Sequence, residues 1–191
     1  MNAKLKFSTR ILLGYVVPCV VFTLAVVAVY LESLALERTI AQMTRAVSIV
    51  ENGLALQLHV AELQRAARGS LLKPQDAKLD DYEASKRQAD EDLLELKQLV
   101  QDAGQTAILN RLTDITNAIT ESTRRQIERV KAGEVEEGVQ DFRGGQGDAL
   151  YQSFTNLSTQ FFEREKQIER GLKDEVINGI AAVNRIAVLG L

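Results

Sequence analysis

Ile11–Leu31 is a run of twenty-one residues without a charge, and it limits what the chain can become more than any other stretch. As a helix it is about 30 Å long, the thickness of a bilayer's hydrocarbon core. Lys4, Lys6 and Arg10 precede it, and no acid stands among the first ten residues. The positive-inside rule then predicts a cytoplasmic N-terminus, with everything from Glu32 on the outer side. Pro18 and Gly14 are compatible with a membrane helix, where neighbours re-satisfy the backbone. A cleaved secretory signal is the alternative, with Ser33-Leu34-Ala35 as small residues at cleavage spacing. The apolar run is longer than the roughly 7–15 residues of a signal core, which favours an anchor. Under either reading the remainder lies outside the cytoplasm.

That remainder is one domain of ordinary size within a chain of 191 residues. Good helix formers dominate it, Pro occurs only at 18 and 74, and no strand-like alternation runs for any length. The net charge of −3 and the lack of a basic, aromatic-laced patch argue against nucleic acid. Cys19 is the only cysteine and His59 the only histidine. No intrachain disulfide, His/Cys metal set or histidine-based nucleophile pair can be assembled from them. The expectation is a non-enzymatic chain with no cofactor. His59 itself reads as a partly exposed surface histidine.

From Glu32 the apolar residues fall at Leu36, Ile40, Met43, Val47, Val50 and Leu54, then Gln57 and Ala61. These steps of four and three make a 3.5-residue period, the seam of a coiled coil or bundle. One helix is predicted from about Thr9 to Arg68, ended by Gly69 and Pro74. Asp76 is the expected cap of a second helix to about Asp102, with its seam at Leu79, Tyr82, Lys86, Ala89, Leu93, Leu96 and Val100. Asp90-Glu91-Asp92 point in different directions on that helix and read as a solvated face. A third helix covers about Gln105–Lys131. Its seam of Ile108, Leu112, Ile115 and Ile119 turns polar at Ser122, Thr123 and Gln126, flanked by Arg124 and Arg125. A polar layer inside a bundle either fixes register or binds a small ligand. Ser122, Thr123, Arg125 and Gln126 are therefore the candidate ligand residues.

A short acidic helix at Glu134–Phe142 and a glycine bend at Gly144-Gly145-Gln146-Gly147 follow. The bend lacks the strand and the Lys-Ser/Thr pair of a phosphate loop. The last helix starts near Ala149. Its seam of Leu150, Phe154, Leu157 and Phe161 continues through Ile168, Leu172 and Val176, with a stutter near Leu172. Beyond Ile177 the chain is mostly apolar and reads as the start of a second, truncated membrane helix.

Three runs carry a resemblance. They are Arg68-Gly69-Ser70-Leu71-Leu72 with Leu79 and Tyr82; Leu96-Lys97-Gln98-Leu99 with Asp102 and Gln105; and Ala132-Gly133-Glu134 with Val139, Gly147 and Leu150. In this order on a four-helix pattern, they resemble the third class of CHASE extracytoplasmic sensor domains of bacterial membrane receptors. The resemblance covers roughly residues 45–172. The arrangement is also similar to the four-helix ligand-binding domain of chemoreceptors. It implies an all-α fold, an N-terminal transmembrane helix continuing into an antiparallel up-down four-helix bundle. The residues themselves divide the chain as 1–10 basic flank, 11–31 membrane helix, 32–177 sensor bundle and 178–191 start of a second membrane segment. The implied role is sensory input to a histidine kinase or methyl-accepting chemotaxis receptor. It also implies a membrane-bound homodimer that answers a small-molecule or protein stimulus. A membrane-tethered structural bundle without output is the competing reading.

Overall fold

The computed structural model describes residues 7–72 and 79–189, and every element among them is a helix. In order these are α1 (Phe7–Leu72), α2 (Leu79–Leu99), α3 (Ala103–Lys131), α4 (Val135–Arg143) and α5 (Gln146–Leu189). The connector with Pro74 and the expected cap Asp76 lies outside the described residues. The chain divides into two compact units, Arg45–Ile168 and Met1–Thr44 with Glu169–Leu191.

The unit Arg45–Ile168 is a helical bundle with one main core. α1 gives Ile49, Leu56 and Val60, α2 Ala89, Leu93, Leu96 and Val100, α3 Leu109, Leu112 and Ile119, and α5 Phe154, Leu157 and Phe161. A satellite cluster of Leu63, Tyr82 and Ile127 closes the α4 end. Cross-helix pairs fix the directions. Arg45 bonds Gln101, His59 meets Asp92 and Glu62 meets Ser85, so α1 descends as α2 climbs. Gly53 against Phe162 and Gln64 against Gly147 set α1 and α5 antiparallel in the same way.

Of the expected seams, Tyr82, Ala89, Leu93, Leu96 and Val100 on α2 and Phe154, Leu157 and Phe161 on α5 are buried, Ser85 rather than Lys86 turns inward, and Leu150, Ile168, Leu172 and Val176 are only partly buried. On α3, Ile108 and Ile115 are only partly buried, and Gln105, Leu109 and Thr116 share the inner face. On α1 the expectation needs correction. The buried face is Ala46, Ile49, Gly53, Leu56, Val60, Leu63, Ala67 and Ser70. Val47 and Leu54 from the expected seam are 57% and 54% exposed. α1 carries two apolar stripes of the same period, one residue apart. The stripe that packs joins the large residues Ile49, Leu56, Val60 and Leu63 to the small Ala46, Gly53 and Ala67. At Gly53 an added Cβ would stand 2.8 Å from Phe162 Cε1.

The helix ends also differ from the sequence reading. Gly69 does not stop α1, which runs to Leu72, and Ser70 Oγ donates to the Ala67 carbonyl. Asp102 does not end α2 but begins α3, its Oδ1 accepting from Gln105 N at 2.8 Å. An extended backbone and a side-chain acceptor for an orphan amide make it an N-cap. α3 closes on Gly133 at φ 86, with Gly133 N donating to Val130 O and Glu134 N to Arg129 O. Those two bonds form a Schellman cap, which needs the left-handed conformation glycine adopts freely.

The unit Met1–Thr44 with Glu169–Leu191 holds the first part of α1 and the last part of α5. Its α1 segment has a mean hydropathy of 2.3 in its most apolar window, none of it buried. By length and composition it is the one helix among the described residues able to cross a membrane.

Leu96 and Phe154 are fully enclosed, at 0% and 1% exposure, whereas Leu94 is 59% exposed. Leu96→Ala and Phe154→Ala should each cost about 2–5 kcal/mol, and Leu94→Ala less than about 0.5 kcal/mol. Denaturant unfolding of the full chain in detergent checks this, and equal losses at all three positions would contradict the core assignment.

Candidate functional site

Three of the four candidate ligand residues meet at one place. Ser122, Thr123 and Gln126 of α3 line a small cavity with Gln64 and Arg68 of α1 and Asp148 of α5. They converge because the α3 seam stays in register while its side chains turn from apolar to polar above Ile119. Arg125 does not join them. It sits 57% exposed and 3.9 Å from Glu121, on another side of the helix. Arg124, the other flanking arginine, bridges Glu121 and Glu128, both at 2.7 Å.

The cavity is walled by amides and hydroxyls. Gln64 Nε2 donates to the Gly147 carbonyl at 3.3 Å. Thr123 and Gln126 are more than nine-tenths buried. At the rim, Arg68 and Asp148 approach to 3.5 Å, each more than half exposed. Solvent weakens such an ion pair, so it can part cheaply. The cavity is about 20 Å³, room for about one water molecule.

A second polar contact joins α1 to α2. His59 Nδ1 lies 2.6 Å from Asp92 Oδ2, with both side chains mostly enclosed. Burial pushes the Asp92 carboxyl above the ordinary range, while the hydrogen bond from His59 pulls it back. The sequence reading put both residues on the surface. Asp90 and Glu91 are indeed exposed, but Asp92 adjoins the seam residue Leu93 and turns partly inward.

A third group gathers where α2 passes into α3. Arg164 of α5 grips Asp102 with two hydrogen bonds, Nε to Oδ1 at 2.9 Å and Nη2 to Oδ2 at 2.8 Å. Next to it the buried Gln105 amide donates to buried Glu165 at 2.5 Å. The Arg164 bonds, followed by the Gln105 amide, hold the Asp102 carboxyl down at about 2. Elsewhere, Tyr82 donates to the Thr120 carbonyl at 3.2 Å, and burial pushes its phenol up to about 12. Thr116 Oγ1 is buried with no hydrogen-bond partner, and nothing in the structure explains it. Among the described residues no three His, Cys, Asp or Glu side chains stand close enough to share a metal ion.

The comparisons with known proteins give one match. The CHASE3 domain family model matches residues 39–172, more than half of the chain. No curated protein and no solved structure matches.

The Asp102–Arg164 contact has a definite pH signature. The folded carboxyl ionises more readily than the unfolded one, so its stabilising contribution is full above about pH 4. It is lost as pH falls towards 2. Asp102→Asn keeps a capping acceptor but loses the charge. Its melting temperature at pH 7 should fall a few degrees below the parent's, and the gap should close on going from pH 4 to pH 2. A gap that stays constant over that range would contradict the role given to the ion pair.

Proposed function

The chain belongs to the CHASE3 domain family, whose members are extracytoplasmic sensor domains of signalling receptors. From that premise we propose that it is the input module of a bacterial transmembrane receptor. In this reading residues 11–31 cross the membrane, Lys4, Lys6 and Arg10 hold the N-terminus in the cytoplasm, and residues 32–177 sense outside it. The output belongs to a cytoplasmic domain after residue 191, of the histidine kinase or methyl-accepting chemotaxis kind.

The observation that carries this reading is the continuity of two helices. α1 holds the uncharged run and, later, the core residues Ile49, Leu56 and Val60 without an interruption. α5 leaves the core after Phe161 and continues to Leu189. An unbroken helix passes rotation or sliding along its length, which is how a bistable bundle delivers a signal. The polar layer of Ser122, Thr123 and Gln126 is the proposed site for a small polar stimulus. Anything larger than water has to part α1, α3 and α5 to enter, so binding there is coupled to helix motion.

Helix phase gives the test. In a full-length receptor, one residue inserted after Asp174 turns everything beyond it by about 100°. Output should lock on or off with expression and membrane insertion unchanged. A seven-residue insertion, about two turns, should restore most of the response. If the two insertions behave alike, the tether reading replaces the sensor reading.

The exposed stripe on α1 supports a parallel homodimer. Ile40, Val47 and Leu54 stand seven residues apart and are each more than half exposed. Heptad spacing of large apolar residues is what a partner helix of a left-handed coiled coil requires. Membrane anchoring would hold two copies side by side at one height. In a Cys19→Ser background, Ile40→Cys, Val47→Cys or Leu54→Cys should crosslink between subunits, and Ala46→Cys should not. Crosslinking at Ala46 alone, or at none of the four, would rule this interface out.

A further inference from the structure

Within the unit Met1–Thr44 with Glu169–Leu191, α1 and α5 enclose a groove of about 390 Å³. That volume lies in the range of small-molecule sites. Its floor is apolar, formed by Val29 and Leu36 from α1 and by Val176 and Ile180 from α5. Two carboxylates, Glu32 and Glu175, line the same groove. Neither has an ion-pair partner among the described residues. Gly179 lies beside one of them, since a Cβ built there would stand 3.7 Å from Glu32 Oε2, in ordinary contact.

The charge pattern selects the occupant. Glu32 is the first charged residue after the uncharged run Ile11–Leu31, so the groove opens where an anchored helix leaves the hydrocarbon. Headgroups and the upper parts of acyl tails occupy that level. Two unpaired carboxylates call for a cation, and an apolar floor calls for methylenes. A second copy facing this groove would bring four carboxylates together without a cation, and like charges disfavour such an interface. An anionic lipid is repelled in the same way.

We infer that this groove binds an amine-headed phospholipid, with its ammonium between Glu32 and Glu175 and its first tail carbons on Val29, Leu36, Val176 and Ile180. This rests on the membrane anchoring proposed above. A lipid held there ties α1 to α5 where both approach the membrane, and its release would free the two helices to shift.

The test reconstitutes the full chain into phosphatidylcholine vesicles containing either phosphatidylethanolamine or phosphatidylglycerol. Lipid retained after gentle detergent extraction is counted by native mass spectrometry. Phosphatidylethanolamine should be retained in preference to both other lipids. Glu32→Gln with Glu175→Gln should lower that retention about tenfold, the effect of losing the charge contacts to the ammonium. Gly179→Leu, which fills the space beside the Glu32 carboxylate, should lower it equally with helix content unchanged. Equal retention of all three lipids overturns the proposal, as does full retention in the carboxamide variant. Complete displacement by free ethanolamine in solution also overturns it, because the site then takes an amine and not a lipid. A chain that stays with the vesicles but shows no lipid preference leaves the anchor standing and removes only this site. A chain that washes off the vesicles removes both.

Discussion

The Phe162 ring of α5 packs so tightly onto Gly53 of α1 that an added Cβ would stand 2.8 Å from it, and the seating of α1 in the bundle depends on that contact. Ala46 and Ala67 on the same face are small as well, so α1 can lie deep between its neighbours. Once it does, Leu56, Val60 and Leu63 meet side chains from the other helices and are almost wholly removed from water. Burial of each large apolar side chain contributes about 1.5–3 kcal/mol, and interior packing density leaves no room to slide by one residue. The register of α1 therefore sets which polar groups end up opposite each other. His59 reaches Asp92 and Gln64 reaches Gly147 across that register, and Arg68 and Asp148 meet at its exposed rim.

At the far end of the bundle the polar contacts have the opposite character. Glu165 is 2% exposed and held by Gln105, and Asp102 is held by two bonds from Arg164. A buried carboxylate is costly unless it is paired and hydrogen-bonded, so these groups punish any slip of α5 against α3. Near Ser122 and Gln126 the penalties are milder. The side chains are neutral, the rim ion pair is exposed, and a small cavity remains. One end is pinned by charge and the other is loosely closed.

The four long helices and most of their inner faces were legible from spacing alone. Tyr82, Ala89, Leu93, Leu96 and Val100 on α2, and Phe154, Leu157 and Phe161 on α5, are buried where a 3.5-residue period puts them. α1 was misread by one residue because both stripes share one period and both carry large apolar residues, so periodicity alone does not tell which one faces the bundle. A stripe of Ala, Gly and Ser signals close approach only when the partner surface is known. The polar layer was readable because Ser122, Thr123 and Gln126 interrupt an apolar seam, while Arg125, one step round the helix, could not share their direction. The His59–Asp92 and Asp102–Arg164 contacts were hidden for another reason. Each joins residues from different helices, and pairing them needs the register that only packing supplies. Asp102 also carried an ambiguous local signal, since Asp-Ala-Gly reads as a stop until the Asp side chain is seen to accept from Gln105 N.

In the proposed sensor, the two stripes of α1 couple the bundle to a second chain. They lie one residue apart, about 100° round the helix. The inner stripe is committed to the bundle through Gly53 and Leu56, and the outer one, with Ile40, Val47 and Leu54, faces away from it. A helix is stiff to torsion over a few turns, so whatever turns the inner face turns the outer face by the same angle. Opening the cavity beside Ala67 and Gln64 requires α1 to move against α3 and α5. Gly53 is packed tightly against the Phe162 ring, so part of that movement would appear farther along the helix. In the proposed dimer, a rotation too small to expose Leu56 to water would still change which residues of the outer stripe confront the neighbouring chain. In the proposed sensor, the inner face would make α1 sensitive to what enters the bundle, and the outer face would give that sensitivity something to act on.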